Sequence, residues 1–427
     1  MRTEILLDHE KSPNGLAYVV RALLRVHGDP PADRKRVPLN IGIVLDRSGS
    51  MFGAPLEQAK EAAALLVRRL APEDVVSVVA YDDTVQTVAE PAAGDAQHDL
   101  VSRIQSIRTG GSTHLSGGWL RAREVVAGSR RDGATHRLLL LTDGLANVGI
   151  TQPDALVGLC ARAREEGIVT TTIGFGPSYD EELLRRMAEA GGGSMYYIER
   201  PDQAPAVFAE EIEGLLSLCA QNLSVEIRPA SATRLGAVHH RYPREPLPDG
   251  MRLELGDLYA RDPRLLLAEF LVAVDDPAAE VEIAELTLTA HVVTDDGGIE
   301  RQEIRMPIRA SLAEGPRTDP EVRRELLLQE AARAREEAYD AQRTGDYGRA
   351  RDLLRGAASK LQDLGPADAE LAEEVEDLSV MADRFDEDRV SPADTKYLYQ
   401  RGYARATNQA KTSRAIGRVG RTGEAQP

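Results

Sequence analysis

Three features of the sequence predict an α/β architecture: a doubly wound, mostly parallel sheet inserted in or flanked by a β-sandwich, then a C-terminal helical hairpin region. From Pro38 to Leu218 short apolar strands alternate with amphipathic helices. From Cys219 the helices stop, and strand-like runs follow one another between Pro, Gly and Asp turns. From Pro320 the apolar spacing becomes helical again.

Length and composition bound the reading. The chain has 427 residues, so roughly two to four domains are expected. Aromatic residues make up only 4%, which leaves aliphatic side chains to fill the cores. No apolar run approaches the roughly 18 residues that span a bilayer. The N-terminus interrupts its apolar residues with charge after Ile5-Leu6-Leu7, unlike a secretory signal, so a cytoplasmic protein is expected. Cys160 and Cys219 are widely separated and belong to no CxxC or Cys/His pattern; two buried free thiols are expected. A formal net charge of −17 argues against nucleic-acid binding by the chain as a whole, with the basic stretch 396–421 as the local exception.

Taken in order, residues 1–37 carry two strand-like pieces, Arg2 to Leu7 and Leu16 to His27, around the turn signal Lys11-Ser-Pro-Asn-Gly15. The second piece is compatible with a helix, but its β-branched and aromatic content favours a strand paired into the later sandwich. The α/β domain is assigned to 38–218. Its expected strands are Ile41 to Leu45, Val75 to Tyr81 hairpinned to Val85 to Val88, Arg137 to Leu141, Ile168 to Ile173 and Met195 to Ile198. Its expected helices are Leu56 to Leu70, Leu115 to Val126, Pro153 to Glu166, Asp180 to Ala190 and Ala204 to Leu218, with a polar, Gly-rich crossover before Leu115. The sandwich is assigned to 219–315, so the α/β domain reads as an insertion between its strands. Residues 316–385 read as a helical hairpin with a third, acidic helix from Ala367 to Arg384, and 386–427 as a flexible tail. A solvated acidic face and a frayed basic end account for the last two segments.

The chemistry concentrates where strands end. Asn40-Ile-Gly-Ile-Val-Leu-Asp-Arg-Ser-Gly-Ser-Met51 runs from a strand buried on both faces into a turn bearing Asp46, Ser48 and Ser50. Thr113 lies in the Gly-rich loop Thr109-Gly-Gly-Ser-Thr-His-Leu-Ser-Gly-Gly118, and Asp143 follows the strand Leu138-Leu-Leu-Leu-Thr142. If the two strands are neighbours where the strand order reverses, all five side chains meet in one crevice. Hydroxyl oxygens with two carboxylates suit a hard cation: Mg²⁺ first, with Mn²⁺ or Ca²⁺ as alternatives. Other chemical-looking residues are assigned no site: His114 reads as a loop-packing residue, Asp82 and Asp83 as a solvated turn, Trp119 as core, and His239-His240 as lacking a third ligand.

With Thr142-Asp-Gly-Leu-Ala-Asn-Val-Gly149 and Ile173-Gly-Phe-Gly176, these motifs resemble the von Willebrand factor A family from about Pro38 to Leu218. Asp46, Ser48, Ser50, Thr113 and Asp143 match that family's metal-ion-dependent adhesion site. The flanking sandwich is similar to that of inter-alpha-trypsin inhibitor heavy chains and of bacterial relatives named as calcium-activated chloride channel homologues. The channel name gains no support here, since no apolar run spans a membrane. The resemblance implies a Rossmann-like domain, a divalent cation held by those five residues, and a partner protein whose Asp or Glu carboxylate fills the open coordination position. It also implies that the last helix, Ala204 to Leu218, shifts when ligand binds. A non-enzymatic, metal-dependent protein-interaction module is the expected function. One alternative is an accessory subunit of a MoxR- or chelatase-type ATPase, using the acidic helix and basic tail as docking surfaces. The other is a Mg²⁺-dependent phosphoryl-transfer or hydrolytic enzyme, for which the site loops supply only Arg47 as a phosphate-binding cation.

Overall fold

The computed structural model describes all residues except 13–16, 30–35, 94–96, 144, 176–178, 199–203, 261, 274–279, 295–296, 314, 365–368, 387–389 and 409–427. The chain divides into two compact units. One comprises Met1–Pro31, Leu218–Val293 and Glu300–Ala410; the other is mainly Ala32–Ser217.

In chain order the first unit begins with β1 (Arg2–Lys11) and β2 (Tyr18–His27). The second unit then follows as β3 (Leu39–Asp46), a 3₁₀ turn at Gly49–Met51, α1 (Ala54–Arg69), β4 (Val75–Tyr81), β5 (Val85–Ala92), α2 (Gln97–Gln105) and α3 (Leu115–Gly128). It continues with β6 (Thr135–Thr142), α4 (Pro153–Glu165), β7 (Ile168–Phe175), α5 (Glu181–Gly191), β8 (Gly192–Ile198) and α6 (Ala204–Leu216). The polar crossover before Leu115 therefore contains a helix, α2, whose Leu100 and Ile104 enter the core.

The strand order β5-β4-β3-β6-β7-β8 puts β3 in the middle, parallel to β4 on one side and to β6 on the other. Only the β4–β5 pair is antiparallel. Every residue of β3, β4, β6 and β7 is buried, as expected of strands covered on both faces. On one face β3 and β6 bury Ile41, Ile43, Leu45, Leu139 and Leu141 against apolar residues of α1, α2 and α6. The chain leaves β3 towards β4 and returns to β6 on its other flank, so the strand order reverses between β3 and β6. Crevices at such a reversal are where open α/β sheets bind ligands.

The first unit resumes with β9 (Leu218–Pro229), β10 (Thr233–Val238), β11 (Arg244–Leu247), β12 (Gly250–Tyr259), β13 (Arg264–Val272), β14 (Glu280–Val293) and β15 (Ile299–Ser311). One sheet runs β1-β2-β13-β10 and the other β11-β12-β9-β14-β15. Val20, Leu24, Phe270, Leu223, Val225, Leu253 and Leu288 meet between them in one core, a β-sandwich. The N-terminal strands thus pair with strands from beyond residue 218, and the α/β unit lies between them in sequence. Cys160 and Cys219 are free and buried.

The helices are α7 (Pro320–Arg343), α8 (Tyr347–Gln362), α9 (Ala369–Asp386) and α10 (Pro392–Ala406). The last corrects the flexible tail expected over 386–427. Ser391 Oγ accepts from the Asp394 amide at 3.1 Å, and Asp394 accepts from the Ser391 amide at 2.9 Å. This capping box satisfies two helix-start donors, and Leu398, Tyr399 and Tyr403 are buried. The acidic α9 is likewise not solvated on every side, although Glu376 and Asp383 are exposed. Glu370, Glu374 and Asp377 recur on one side of the helix, where Arg335 of α7 bonds Glu374 and Asp377, while Arg401 and Arg405 of α10 reach Glu374 and Glu370. Tyr397 adds a 2.6 Å bond to Asp377. The acidic helix and the start of the basic stretch are partners of each other. The rest of that stretch lies outside the described residues.

Burial opposes ionisation of Glu374, but the charges of Arg335, Arg405 and Arg401 outweigh it and bring its pKa down to about 2 from 4.5. Such a depressed acid stabilises the fold above its unfolded pKa and loses that contribution as pH falls through the folded one. Unit stability should therefore decline between about pH 4.5 and pH 2. At neutral pH Glu374→Gln should cost about 3–5 kcal/mol, because it strands Arg335 without its buried partner. Urea denaturation and faster hydrogen exchange in α9 and α10 would report both effects; an unchanged denaturation midpoint would contradict them.

Candidate metal centre

Asp46 is the last residue of β3 and pairs in register with Tyr81 at the end of β4, while Thr142 ends β6 and Asp143 follows it. Because β3 and β6 are adjacent and parallel, their carboxyl ends deliver the two acids to one place. Four of the five sequence-derived candidates join in a hydrogen-bonded chain. Asp46 Oδ1 accepts from the Ser48 amide at 2.8 Å. The Ser48 and Ser50 hydroxyls lie 3.2 Å apart, and Ser50 Oγ donates to Asp143 Oδ1 at 2.7 Å.

The fifth, Thr113, sits on the adjoining loop and is buried, though its hydroxyl makes none of these bonds. Backbone contacts hold that loop in place. Gly49 N–H donates to Gly111 O at 2.9 Å and Gly110 N–H to Arg47 O at 2.7 Å, which zips it to the β3 turn. Asn147 and Val148 both donate to Thr113 O at 3.2 Å, and the Asn147 side chain accepts from the Thr113 amide at 2.9 Å. Three loops from three parts of the chain are thereby cross-tied at the end of the sheet.

Two neighbours escaped sequence reasoning. Thr142 donates to Asp46 Oδ2 at 2.6 Å, and a threonine ending a buried strand gives no sequence signal of that role. Asn147 stands within the quoted Thr142 to Gly149 segment, but its part in fixing Thr113 depends on a contact 34 residues away in sequence.

Asp82 corrects the expected solvated turn. It is buried, accepts from the Thr84 amide at 2.8 Å and the Thr84 hydroxyl at 2.7 Å, and lies 3.2 Å from Arg47 Nε. Burial opposes its ionisation, but the Thr84 and Arg47 bonds prevail and lower its pKa. Arg47, whose guanidinium also bonds Gln86 at 2.8 Å and Thr84 at 3.2 Å, is committed to this cluster. His114 packs as expected: a Cβ on Gly149 would fall 2.2 Å from its Nε2. Trp119 is core and donates to Thr170 at 3.3 Å. His240 is fully buried, accepting from the Leu267 amide at 3.1 Å, with Nε2 3.2 Å from Glu325 of α7. It joins sheet to helix within its own unit.

Electrostatics set Asp46 and Asp143 apart from buried acids such as Asp74, Asp82 and Glu374, which face arginines. Asp46 is 0% and Asp143 8% exposed, and among the described residues neither has an ion pair with Lys, Arg or His. Burial raises the Asp46 pKa to about 6, against the hydrogen bonds from Thr142 and Ser48 and with a further push from Asp143. Burial raises that of Asp143 as well. Among the described residues no three His, Cys, Asp or Glu side chains cluster to hold a metal; the side chains gathered here are two carboxylates with the hydroxyls of Ser48, Ser50 and Thr142, oxygen donors of the kind hard cations take.

The comparisons agree with this class of domain. Residues 40–210 match the family model for the von Willebrand factor type A domain. An uncharacterized Synechocystis protein, sll0103, is 26% identical over 336 residues, covering 76% of this chain and 79% of its own. Human inter-alpha-trypsin inhibitor heavy chain H3 is 29% identical over 192 residues, 43% of this chain but only 22% of the longer protein. Among solved structures, a von Willebrand factor type A protein from Catenulispora acidiphila superposes with a TM-score of 0.73 at 18% identity, covering 94% of this chain and 96% of that one. The shared architecture therefore extends through the sandwich and helices. Among the described residues no helix is long and apolar enough to cross a membrane.

The cross-tied loops leave no room at Gly110, where a Cβ would meet Asp82 Oδ2 at 1.6 Å. Gly110→Ala should cost about 1–3 kcal/mol through overpacking, read as a lower urea midpoint, while Gly128→Ala, with nothing within 4 Å, should be neutral or stabilising.

Proposed function

We propose that the protein is a metal-dependent protein-interaction module, in which Asp46, Ser48, Ser50, Thr113 and Asp143 hold a divalent cation, Mg²⁺ by choice, that receives an Asp or Glu carboxylate from a partner. The observation that carries this reading is the pair of buried acids at the strand-order reversal, supplied with hydroxyls and amides but with no cationic side chain among the described residues. When bound, the cation supplies positive charge that the neutral hydroxyls do not cancel, and an incoming carboxylate answers it. Ser48, Ser50 and Thr113 offer neutral oxygens. Asp46 and Asp143 supply the negative charge, with Thr142 and the Ser48 amide fixing the orientation of Asp46.

Neither alternative gains an observation. Glu370, Glu374 and Asp377 of the acidic helix bond the described start of the basic stretch or α7, so these acids are engaged within their own unit. Arg47, the cation a phosphoryl-transfer site would need, is engaged by Asp82, Thr84 and Gln86.

A ligand that binds only the folded state raises its stability in proportion to the logarithm of concentration over Kd. Mg²⁺ should therefore raise the unfolding temperature of the wild type progressively, and leave Asp46→Asn and Asp143→Asn unmoved. Proteins retained from a native lysate by the immobilised wild type in Mg²⁺ should be released by chelator and absent from the Asp46→Asn column. The same Mg²⁺ response in all three proteins would sink the assignment of the site.

A further inference from the structure

Among the described residues six large hydrophobic side chains are exposed, and the two most exposed are Phe52 at 77% and Leu145 at 55%. Both flank the candidate metal centre: Phe52 is two residues past Ser50 and Leu145 two past Asp143, and Ser50 and Asp143 are themselves 2.7 Å apart. A third, Val85 at 36%, opens β5 opposite Tyr81, the residue in register with Asp46. Half of the exposed large hydrophobics thus stand on segments at one end of one sheet.

Their display is built in. Met51 is fully buried, while the Phe52 amide bonds Gly49 O at 3.2 Å, so the 3₁₀ turn anchors one side chain in the core and turns the next to solvent. Leu145 precedes Asn147 and Val148, whose amides are bound to Thr113 O. Side chains pinned this way lose little freedom when covered, which favours their use in binding. Apolar contacts surrounding a desolvated polar anchor also exclude water from it and strengthen its electrostatics.

We propose that the partner presents its acid within an apolar sequence, with aromatic or aliphatic side chains next to the metal-bound Asp or Glu seating on Phe52, Leu145 and Val85. This rests on the metal-site reading above and adds the chemical class of the ligand segment. The charge of the site demands the carboxylate, and the rim demands apolar neighbours, so an acidic but otherwise polar segment would bind weakly.

The test is a displayed library of short random peptides with one fixed central Asp, selected on the full chain in Mg²⁺, beside the same library with Asn fixed instead. Wild type should enrich Phe, Leu, Ile, Met, Trp or Tyr within two positions of the Asp. Selected peptides, synthesised and titrated, should bind Phe52→Ser/Leu145→Ser about tenfold or more weakly, while the Mg²⁺-dependent rise in unfolding temperature stays as in wild type. Enrichment of polar flanks, or an apolar preference that survives in the double variant, would overturn the proposal while leaving carboxylate docking intact. Equal selection from the Asn library, insensitive to chelator, would overturn the reading of the site instead.

Discussion

The arrangement depends on one constraint: β3 and β6 are parallel neighbours, so the acids that terminate them are forced together at the reversal of strand order. No loop rearrangement is needed to bring Asp46 near Asp143, because the sheet's hydrogen bonds already do so. The cost is electrostatic. A shift of one pKa unit is worth about 1.4 kcal/mol, so lifting Asp46 from 3.8 to about 6 burdens the cation-free fold by on the order of 3 kcal/mol at neutral pH. At Asp46 the Thr142 and Ser48 hydroxyls and the Ser48 amide work against burial, as the Ser50 hydroxyl does at Asp143; none of these groups carries a charge.

The sandwich-and-helix unit handles buried acid in the opposite way. Glu374 is as inaccessible as Asp46, but Arg335 and Arg401 reach it and hold its pKa near 2 rather than near 6. One unit neutralises its buried acid with arginines from two neighbouring helices; in the other, among the described residues, two acids meet only hydroxyls and amides. Burial is common to both cases, so the contrast lies in the partners: guanidinium groups at Glu374, and hydroxyls and amides at Asp46 and Asp143 among the described residues.

Much of this was legible in the sequence because it is written locally. Strand–helix alternation announces the parallel sheet, and the β3 turn carries three oxygen-bearing side chains within five residues, Asp46 to Ser50. What stayed hidden depends on pairing at long range. Asp82 looks like a turn aspartate until Gly110 is folded against it, and Thr142 is one more apolar-strand threonine until Asp46 is its neighbour. The charge of α9 misled for the same reason: composition reveals an acidic helix, but only the packing of α7 and α10 shows where its acids point. The α10 start was readable in principle, since Ser391 and Asp394 stand at capping-box spacing.

The charge deficit and the exposed apolar rim share a cause. The loops at the end of the sheet are fixed by backbone bonds from one loop to another, such as Gly49 to Gly111 and Val148 to Thr113, and by Gly110, which has no side chain to place. The same loops bury Met51, Ser48, Thr113 and the two acids, and leave Phe52, Leu145 and Val85 exposed beside them. The same backbone cross-ties therefore hold both the proposed metal centre and the proposed apolar rim in place.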